Sequence, residues 1–208
     1  MNIDFGKWTS ILILSLALTA VSFPIAENFH LRNVYRQTLA HWLSKLAPPP
    51  TVFIGDSITA GGQWFDDVRN INLGANGLLT DQIVKYLPTA QAYHPKRIVI
   101  MAGTNDAARG FDADKIRNLW ETICKEPAIV ITLAPPSLDD EVNHRIDQIN
   151  RITLDGCPGK SVITLDIGDE QGRLRPEFTL DGTHLGPKAY EQWTSLLKSP
   201  ALERGMSR

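Results

Sequence analysis

Short apolar runs alternate with stretches of helical periodicity after residue 51. The runs lie at 52–54, 71–73, 98–101, 129–133 and 162–165. Each is apolar at successive positions, which predicts strands buried on both faces of a parallel sheet. Helix-compatible stretches separate or follow them at 80–87, 114–125, 138–154 and 187–197. The alternation predicts one α/β domain with a five-stranded parallel sheet and a ligand site outside the carboxyl ends of the strands.

The charge balance and the sparse cysteines and histidines exclude several classes of protein. Lys and Arg total 21 against 23 Asp and Glu, a net charge of −2, so no positive field exists for nucleic acid. The two cysteines lack the paired spacing of a zinc site, and the five histidines are scattered along the chain. We therefore predict no nucleic-acid partner and no metal site.

The N-terminal residues predict export. No charged residue occurs from Trp8 to Ala26, and Lys7 precedes this segment, a pattern typical of a signal peptide or an N-terminal membrane anchor. Ala20-Val21-Ser22 supplies small residues for signal-peptidase cleavage, whereas a buried helix of the fold is the alternative. The predicted location is the periplasm or the outer face of the inner membrane, which an uncleaved segment would contact.

The sequence divides into four parts. Residues 1–26 form the export segment, and residues 27–50 combine an amphipathic arm with the stiff Pro48-Pro49-Pro50 junction. The domain occupies 51–200, and residues 201–208 form a tail. Because the domain has about 150 residues and no long insertion, we expect a shallow, open cleft without a large lid.

Cys124 and Cys157 each lie five positions before an apolar run, at the end of a predicted helix. If the two following strands are neighbours, right-handed crossovers bring both cysteines to the sheet edge opposite the ligand site. The sequence therefore predicts a disulfide. Two buried thiols that pack as small apolar groups are the alternative.

The first two apolar runs lead into residues suited to nucleophilic catalysis. Gly55-Asp56-Ser57 places a serine hydroxyl at the mouth of the sheet after a glycine that permits a tight turn. After the second run, Gly77 offers an unobstructed N–H for a developing oxyanion, and Gly74 is the alternative in another register. A helix N-cap at the first fragment and a turn glycine at the second are simpler interpretations.

Polar side chains also follow the third run and precede the last helix. Asn105, in the fragment Gly103-Thr104-Asn105-Asp106, carries an amide that can donate to an oxyanion. Asp181 lies three positions before His184, so its carboxylate can orient an imidazole that acts as a general base. A helix N-cap and a plain surface turn are the respective alternatives.

Taken in order, the four fragments resemble the blocks of the SGNH (GDSL-type) serine hydrolase and esterase family: Gly-Asp-Ser, a glycine after the second strand, Gly-x-Asn-Asp and Asp-x-x-His. The resemblance covers most of 51–197 and implies a flavodoxin-like three-layer α/β/α sandwich and no cofactor. It also implies that Ser57 is the nucleophile, His184 the general base and acid, and Asp181 its orienting carboxylate. The implied oxyanion hole consists of the Ser57 N–H, the Gly77 N–H and the Asn105 side chain.

One departure from the family pattern concerns the wall of the cleft. The family often has Asp or Glu after the second glycine, whereas two leucines follow Gly77, so we expect an apolar wall there. Five apolar side chains are predicted to bind substrate, with a place in the ordinary core as the alternative for each. They are Trp64, Phe65, Leu78, Leu79 and Phe178.

The predicted activity is hydrolysis of carboxylic esters through an acyl-enzyme on Ser57. The expected substrates are small molecules, glycans or lipids that carry an ester, with short acyl groups or lysophospholipid-type esters favoured. The same triad would also serve an envelope O-acyltransferase, in which a sugar hydroxyl releases the acyl group. A second alternative is a catalytically silent, membrane-linked adaptor that uses the 27–47 arm.

Overall fold

Five parallel strands form the central sheet of the computed structural model, in the order β2-β1-β3-β4-β5. The buried apolar residues of β3 and β4 are typical of strands covered on both faces. The strands are β1 (Thr51–Gly55), β2 (Ile71–Asn72), β3 (Arg97–Met101), β4 (Ile129–Thr132) and β5 (Ser161–Ile163). This order is the flavodoxin-like one, and the predicted α/β class is confirmed.

The structure describes residues 49–62, 64, 70–199 and 202. The chain divides into two compact units between Pro48 and Pro49, and all described residues belong to the second. The predicted export segment, the arm and nearly all of the 201–208 tail therefore lie outside the described residues. Within the described part, no helix has the length and apolar character needed to cross a bilayer.

Seven α-helices connect or follow the strands in the described ranges. They are α1 (Ser57–Gly61), α2 (Thr80–Ile83), α3 (Leu87–Gln91), α4 (Thr104–Arg109), α5 (Ala113–Ile123), α6 (Asp140–Gly156) and α7 (Pro187–Leu197). The three longest correspond to predicted helices and begin at strong signals. Asp112 and Asp139 cap α5 and α6 with their side chains, and Pro187 occupies the first turn of α7.

The helical predictions need two corrections. The stretch 80–87 is not one helix: α2 passes into a 3-10 turn at Val84–Tyr86, and α3 follows. Pro88 lacks the N–H that a continuing helix would use, which favours a new start there. The helix predicted from residue 138 begins at Asp140, because Asp139 accepts a hydrogen bond from the Val142 N–H and so forms its cap.

The core fills both faces of the sheet because strand residues alternate in direction. On one face, Phe53, Val99 and Val130 pack with Trp64 and Trp193 in a cluster that includes α7. The alternate residues of the same strands, such as Ile54, Ile100 and Ile131, are also fully buried and point to the opposite face. The sheet is therefore held rigidly between two layers, and its strand ends are fixed relative to one another.

Cys124 and Cys157 form a disulfide, with their Cα atoms 5.4 Å apart. They are the C-terminal caps of α5 and α6, which pack against each other and lead into the adjacent strands β4 and β5. The disulfide therefore lies at the amino ends of β4 and β5. This is the position predicted from the equal spacing of each cysteine before the next apolar run.

Candidate active site

Ser57 lies just beyond the carboxyl end of β1, as the first residue of α1. The Asp56 carboxylate caps this helix and accepts a hydrogen bond from the Ile58 N–H at 2.9 Å. Gly55 is required in the turn, because a Cβ there would collide with Thr59 and with the Met101 carbonyl. As the first residue of a helix, Ser57 has no intrahelical acceptor for its own N–H.

The imidazole of His184 connects Ser57 to Asp181. Its Nε2 lies 3.1 Å from the Ser57 Oγ, and its Nδ1 lies 2.7 Å from the Asp181 Oδ2. With Asp181 ionised, Nδ1 carries the proton that it donates to the carboxylate, and Nε2 is left to accept the serine hydroxyl proton. This arrangement is the one that general-base activation of a serine requires.

The turn that contains Asp181 and His184 is held by backbone hydrogen bonds. The Asp181 Oδ1 accepts from the Thr183 N–H at 3.0 Å and from the His184 N–H at 2.7 Å. The pKa of Asp181 is lowered to about 2. The hydrogen bond from the His184 N–H is the largest cause, followed by the contact with the imidazole and the hydrogen bond from the Thr183 N–H. Asp181 therefore stays charged throughout the neutral range and holds the imidazole in one orientation.

Two loops flank Ser57, one after β2 and one after β3. On the first side, the Ala75 N–H donates to the Gly55 carbonyl at 3.0 Å. On the second side, Met101 pairs with Gly55 in the parallel register of β3 and β1. The loop that contains Gly77 and the helix start that contains Asn105 are therefore positioned by the ends of the same strands.

A side-chain hydrogen bond joins these two loops. The Asn105 Nδ2 donates to the Leu78 carbonyl at 3.1 Å, which engages one of its two N–H bonds. Gly77 adopts a positive φ of 73°, which favours glycine. Its N–H has no acceptor among the described residues.

Gly74 has a different role from Gly77. Its N–H donates to the Asn72 Oδ1 at 2.9 Å, so it is already engaged. A Cβ at this position would collide with the backbone of Ala60 in α1. Gly74 thus permits close packing against α1, whereas Gly77 retains a donor that a ligand can use.

The side chains predicted to bind substrate differ in how far the structure buries them. Leu78 and Leu79 are half-buried in the loop after β2, and Phe178 is half-buried beneath the Arg175 guanidinium, 4.6 Å from its ring centroid. Phe65 lies outside the described residues.

The prediction for Trp64 needs correction, because the structure places its side chain in the core. It is only 5% exposed, stacks on Phe53 with ring centroids 4.2 Å apart, and meets Trp193 edge-on. Its Nε1 donates to the Thr59 carbonyl. Trp64 therefore packs in the core and holds α1 through this hydrogen bond.

Two exposed leucines near the triad were not predicted to contact substrate. Leu138 is 50% exposed and lies against Gly182, while Leu180 is 73% exposed and immediately precedes Asp181. The Leu138 N–H also donates to the Gly182 carbonyl. In the sequence these two leucines cannot be told from leucines of the core. Only their exposure in the folded protein identifies them as surface residues.

The carboxyl group of Asp56, next to Ser57, is in an unusual environment. Asp56 is 1% exposed, and its Oδ2 has no hydrogen-bond partner. Burial raises the pKa of Asp56 to about 6, against the opposing effects of hydrogen bonds from the Ile58 and Thr59 N–H groups. Burial also raises the pKa of Tyr190, whose hydroxyl donates to the Ile58 carbonyl at 2.6 Å.

Solved structures with the same fold include several described as lipases or esterases. A GDSL-like lipase from Bacteroides thetaiotaomicron is 21% identical, with a TM-score of 0.67, covering 83% of this chain and 98% of that one. A putative platelet activating factor protein from Streptococcus pneumonia is 22% identical, with a TM-score of 0.61 and coverages of 88% and 97%. An acetylxylan esterase from Geobacillus stearothermophilus, in a catalytic variant, is 16% identical, with a TM-score of 0.53 and coverages of 78% and 95%.

No curated protein matches the sequence significantly. The sequence profile of the GDSL-like lipase/acylhydrolase family matches residues 53–192, which include both the Gly-Asp-Ser and the Asp-x-x-His fragments. The fold of the solved structures and this match agree with the resemblance carried by the four fragments. The chain therefore belongs to the GDSL-like lipase/acylhydrolase family.

Proposed function

We propose that the protein is a serine esterase that hydrolyses carboxylic esters through an acyl-enzyme on Ser57. The observation that carries the proposal is the continuous contact from Ser57 through His184 to Asp181, with distances of 3.1 and 2.7 Å. It supplies a nucleophile, a base and a group that orients the base. The family and the esterase and lipase among its structural neighbours support the same chemistry.

In the first half-reaction, His184 Nε2 takes the hydroxyl proton as the Ser57 Oγ attacks the ester carbonyl. The carbonyl oxygen becomes an oxyanion that accepts hydrogen bonds from the Ser57 N–H, the Gly77 N–H and the second N–H of the Asn105 amide. His184 then gives its proton to the leaving alkoxide, and the alcohol departs. Ser57 is left acylated.

In the second half-reaction, water attacks the acyl carbonyl while His184 accepts its proton. His184 then returns this proton to the Ser57 Oγ as the bond between Oγ and the acyl carbon breaks and the carboxylic acid leaves. The side chains of His184 and Asp181 are 44% and 54% exposed, so water reaches the base directly. An acyltransferase would need to keep water from the intermediate. This exposure therefore favours hydrolysis over transfer to a sugar hydroxyl.

The surroundings of the triad favour a short or medium acyl group. Leu78 and Leu79 lie on the side of Gly77, and Leu138 and Leu180 lie beside the Asp181 turn. These residues offer apolar contact without enclosing a ligand. Esters with short acyl groups, or the single chain of a lysophospholipid-type ester, fit such an open surface best.

Hydrolysis of p-nitrophenyl acetate, butyrate and octanoate by the full chain tests the proposal. Ser57→Ala is expected to lower kcat/KM by about 10³-fold or more, because it removes the nucleophile. Ser195→Ala, at an exposed serine of α7, is the matched control and is expected to retain the wild-type rate.

The acyl-length series identifies the substrate class. Preference for acetate indicates deacetylation of small esters or glycans, and preference for octanoate indicates lipid esters. Equal rates for wild type and Ser57→Ala would contradict the mechanism.

We also propose that the enzyme acts outside the cytoplasm, in the periplasm or on the outer face of the inner membrane. The uncharged segment from Trp8 to Ala26 and the Cys124–Cys157 disulfide support this location. Fractionation of cells that express the full chain tests it. Recovery after osmotic shock or in the membrane fraction is the expected outcome, and a purely cytoplasmic protein with two free thiols would contradict it.

A further inference from the structure

Arg109 is a cation placed beside both proposed side donors of the oxyanion hole. A Cβ built on Gly77 would lie 3.4 Å from the Arg109 Nη2, so the guanidinium lies next to Gly77. Arg109 is also four residues after Asn105 in α4, and residues at this spacing share one face of a helix. Two independent geometric relationships therefore place Arg109 at the edge of the proposed oxyanion hole.

No described residue of the protein neutralises the charge of Arg109. Arg109 is exposed and has no hydrogen bond or ion pair with a described residue. Two nearby carboxylates, one in α4 and one in α2, have other partners. Asp106 accepts two hydrogen bonds from Thr80, and Asp81 pairs with Lys115 at 2.8 Å.

We propose that Arg109 binds an anionic group of the substrate and makes the enzyme selective for esters that carry a carboxylate or phosphate a few bonds from the scissile carbonyl. A guanidinium forms two parallel hydrogen bonds with either group, and each is strengthened by charge. The proposal rests on the proposed esterase function and adds a substrate class to it. An ester whose anion binds Arg109 has its carbonyl oxygen near Gly77 and Asn105.

Matched neutral and anionic esters test the selectivity on both sides of the ester bond. The acyl side is compared with p-nitrophenyl butyrate and mono-p-nitrophenyl succinate, and the alcohol side with phenyl acetate and 3-acetoxybenzoate. The full chain is assayed as wild type, Arg109→Gln, Arg109→Lys and Arg151→Gln. Arg151 is an exposed arginine of α6 and serves as the control for loss of one surface charge.

In at least one pair, Arg109→Gln is expected to lower kcat/KM for the anionic ester by roughly 10- to 100-fold, mainly through KM. The neutral ester of that pair is expected to change less than about twofold, because it makes no charged contact. Arg109→Lys retains the charge but lacks the planar guanidinium. Its kcat/KM for the anionic ester is therefore expected to lie between those of wild type and Arg109→Gln. Arg151→Gln is expected to match wild type with all four esters.

An equal loss for neutral and anionic esters would overturn the proposal, since it would mean that Arg109 acts on the oxyanion or the fold. No loss in either pair would overturn it as well. The pair that responds shows whether the anion belongs to the acyl group or to the alcohol.

Calorimetric titration with phenylphosphonate gives a readout that needs no turnover. The expected result is binding that is about tenfold weaker in Arg109→Gln and unchanged in Arg151→Gln. This result supports anion binding by Arg109 even if none of the esters is cleaved, in which case the esterase function alone fails. Binding that is absent from the wild type, or identical in all variants, overturns the proposal.

Discussion

The buried carboxylate of Asp106 accepts two hydrogen bonds from Thr80, one from its N–H at 2.9 Å and one from its hydroxyl at 2.8 Å. Thr80 follows the Gly77–Leu79 loop, and Asp106 follows Asn105. The pair therefore fixes the distance between the two elements that supply the proposed oxyanion donors. Neither residue contacts the proposed nucleophile in a described hydrogen bond, so we treat both as positioning residues.

Thr80→Val tests this relationship, because it removes one of the two hydrogen bonds while keeping the shape of the side chain. We expect the free energy of unfolding to fall by about 1–3 kcal/mol, since a buried carboxylate loses a partner. We also expect kcat to fall more than KM rises, because displaced donors stabilise the transition state less.

Thr153→Val is the matched control for this change. Thr153 is equally buried, and its hydroxyl donates to the Ile149 carbonyl within α6. We expect a loss of stability with an unchanged kcat, measured by urea unfolding and ester turnover. A similar loss of kcat in both variants would show that Thr80 has no special effect on the site.

Asp181→Asn should inactivate the enzyme without unfolding it. The amide oxygen can still accept from the Thr183 and His184 N–H groups, but the amide nitrogen cannot stabilise a positively charged imidazole. We expect kcat to fall by roughly 10²- to 10⁴-fold, as in other triads.

Asp181 keeps its charge over the working pH range. Because its pKa is about 2, its ionisation is complete above about pH 4, so we assign no change of activity above that pH to Asp181. A pH–rate profile tests this assignment. Retention of near wild-type activity by Asp181→Asn would contradict the proposed role.

Asp56 should make the protein less stable as the pH rises. Its pKa is about 6 in the folded protein, whereas the ordinary value for an exposed aspartate is 3.8, so the folded state favours the protonated carboxyl. This contribution to stability is complete below pH 3.8 and is lost as the pH rises through 6, with a total of about 3 kcal/mol. His184 opposes the shift, whereas Asp106 reinforces it.

Asp56→Asn removes this titration. We therefore expect the Tm of the variant, relative to wild type, to increase between about pH 4 and pH 6 and then to level off. Parallel melts of the two proteins across this range provide the measurement. A constant difference in Tm would show that Asp56 titrates normally.

The disulfide should stabilise the fold without affecting catalysis. It closes a loop with a sequence separation of 33, for which the chain-entropy relation gives about 3–4 kcal/mol. It lies at the amino ends of the strands, whereas Ser57 lies at a carboxyl end. We expect reduction, or a double Cys124→Ala and Cys157→Ala variant, to lower the Tm while kcat/KM at 25 °C is retained. A parallel loss of kcat/KM would contradict this separation.

The sheet and the longest helices could be predicted because their signals are local. Apolar runs of four or five residues are long enough to identify β3 and β4, and Asp112 and Asp139 mark the starts of α5 and α6. The cysteines could be paired because both precede adjacent strands by the same interval. The short helices α1 and α4 have too few residues to show helical periodicity.

The lining of the cleft could not be predicted in the same way. Trp64 and Leu180 are both apolar residues near the Gly-Asp-Ser and Asp-x-x-His fragments, yet one is buried by Phe53 and Trp193 and the other is exposed. Their environments depend on residues distant in sequence. The same holds for Arg109, whose position beside Gly77 arises only when the loops after β2 and β3 meet. The catalytic roles of the triad residues stay predictions until they are tested.

Covalent labelling of the nucleophile tests the central claim most directly. The full chain is treated with a p-nitrophenyl alkylphosphonate, which forms a stable adduct with an activated serine, and the modified peptide is identified by mass spectrometry. We predict one adduct, on Ser57, that is absent from Ser57→Ala and strongly slowed in His184→Ala. An adduct on another residue, or ester turnover by a protein whose Ser57 remains unlabelled, would contradict the account.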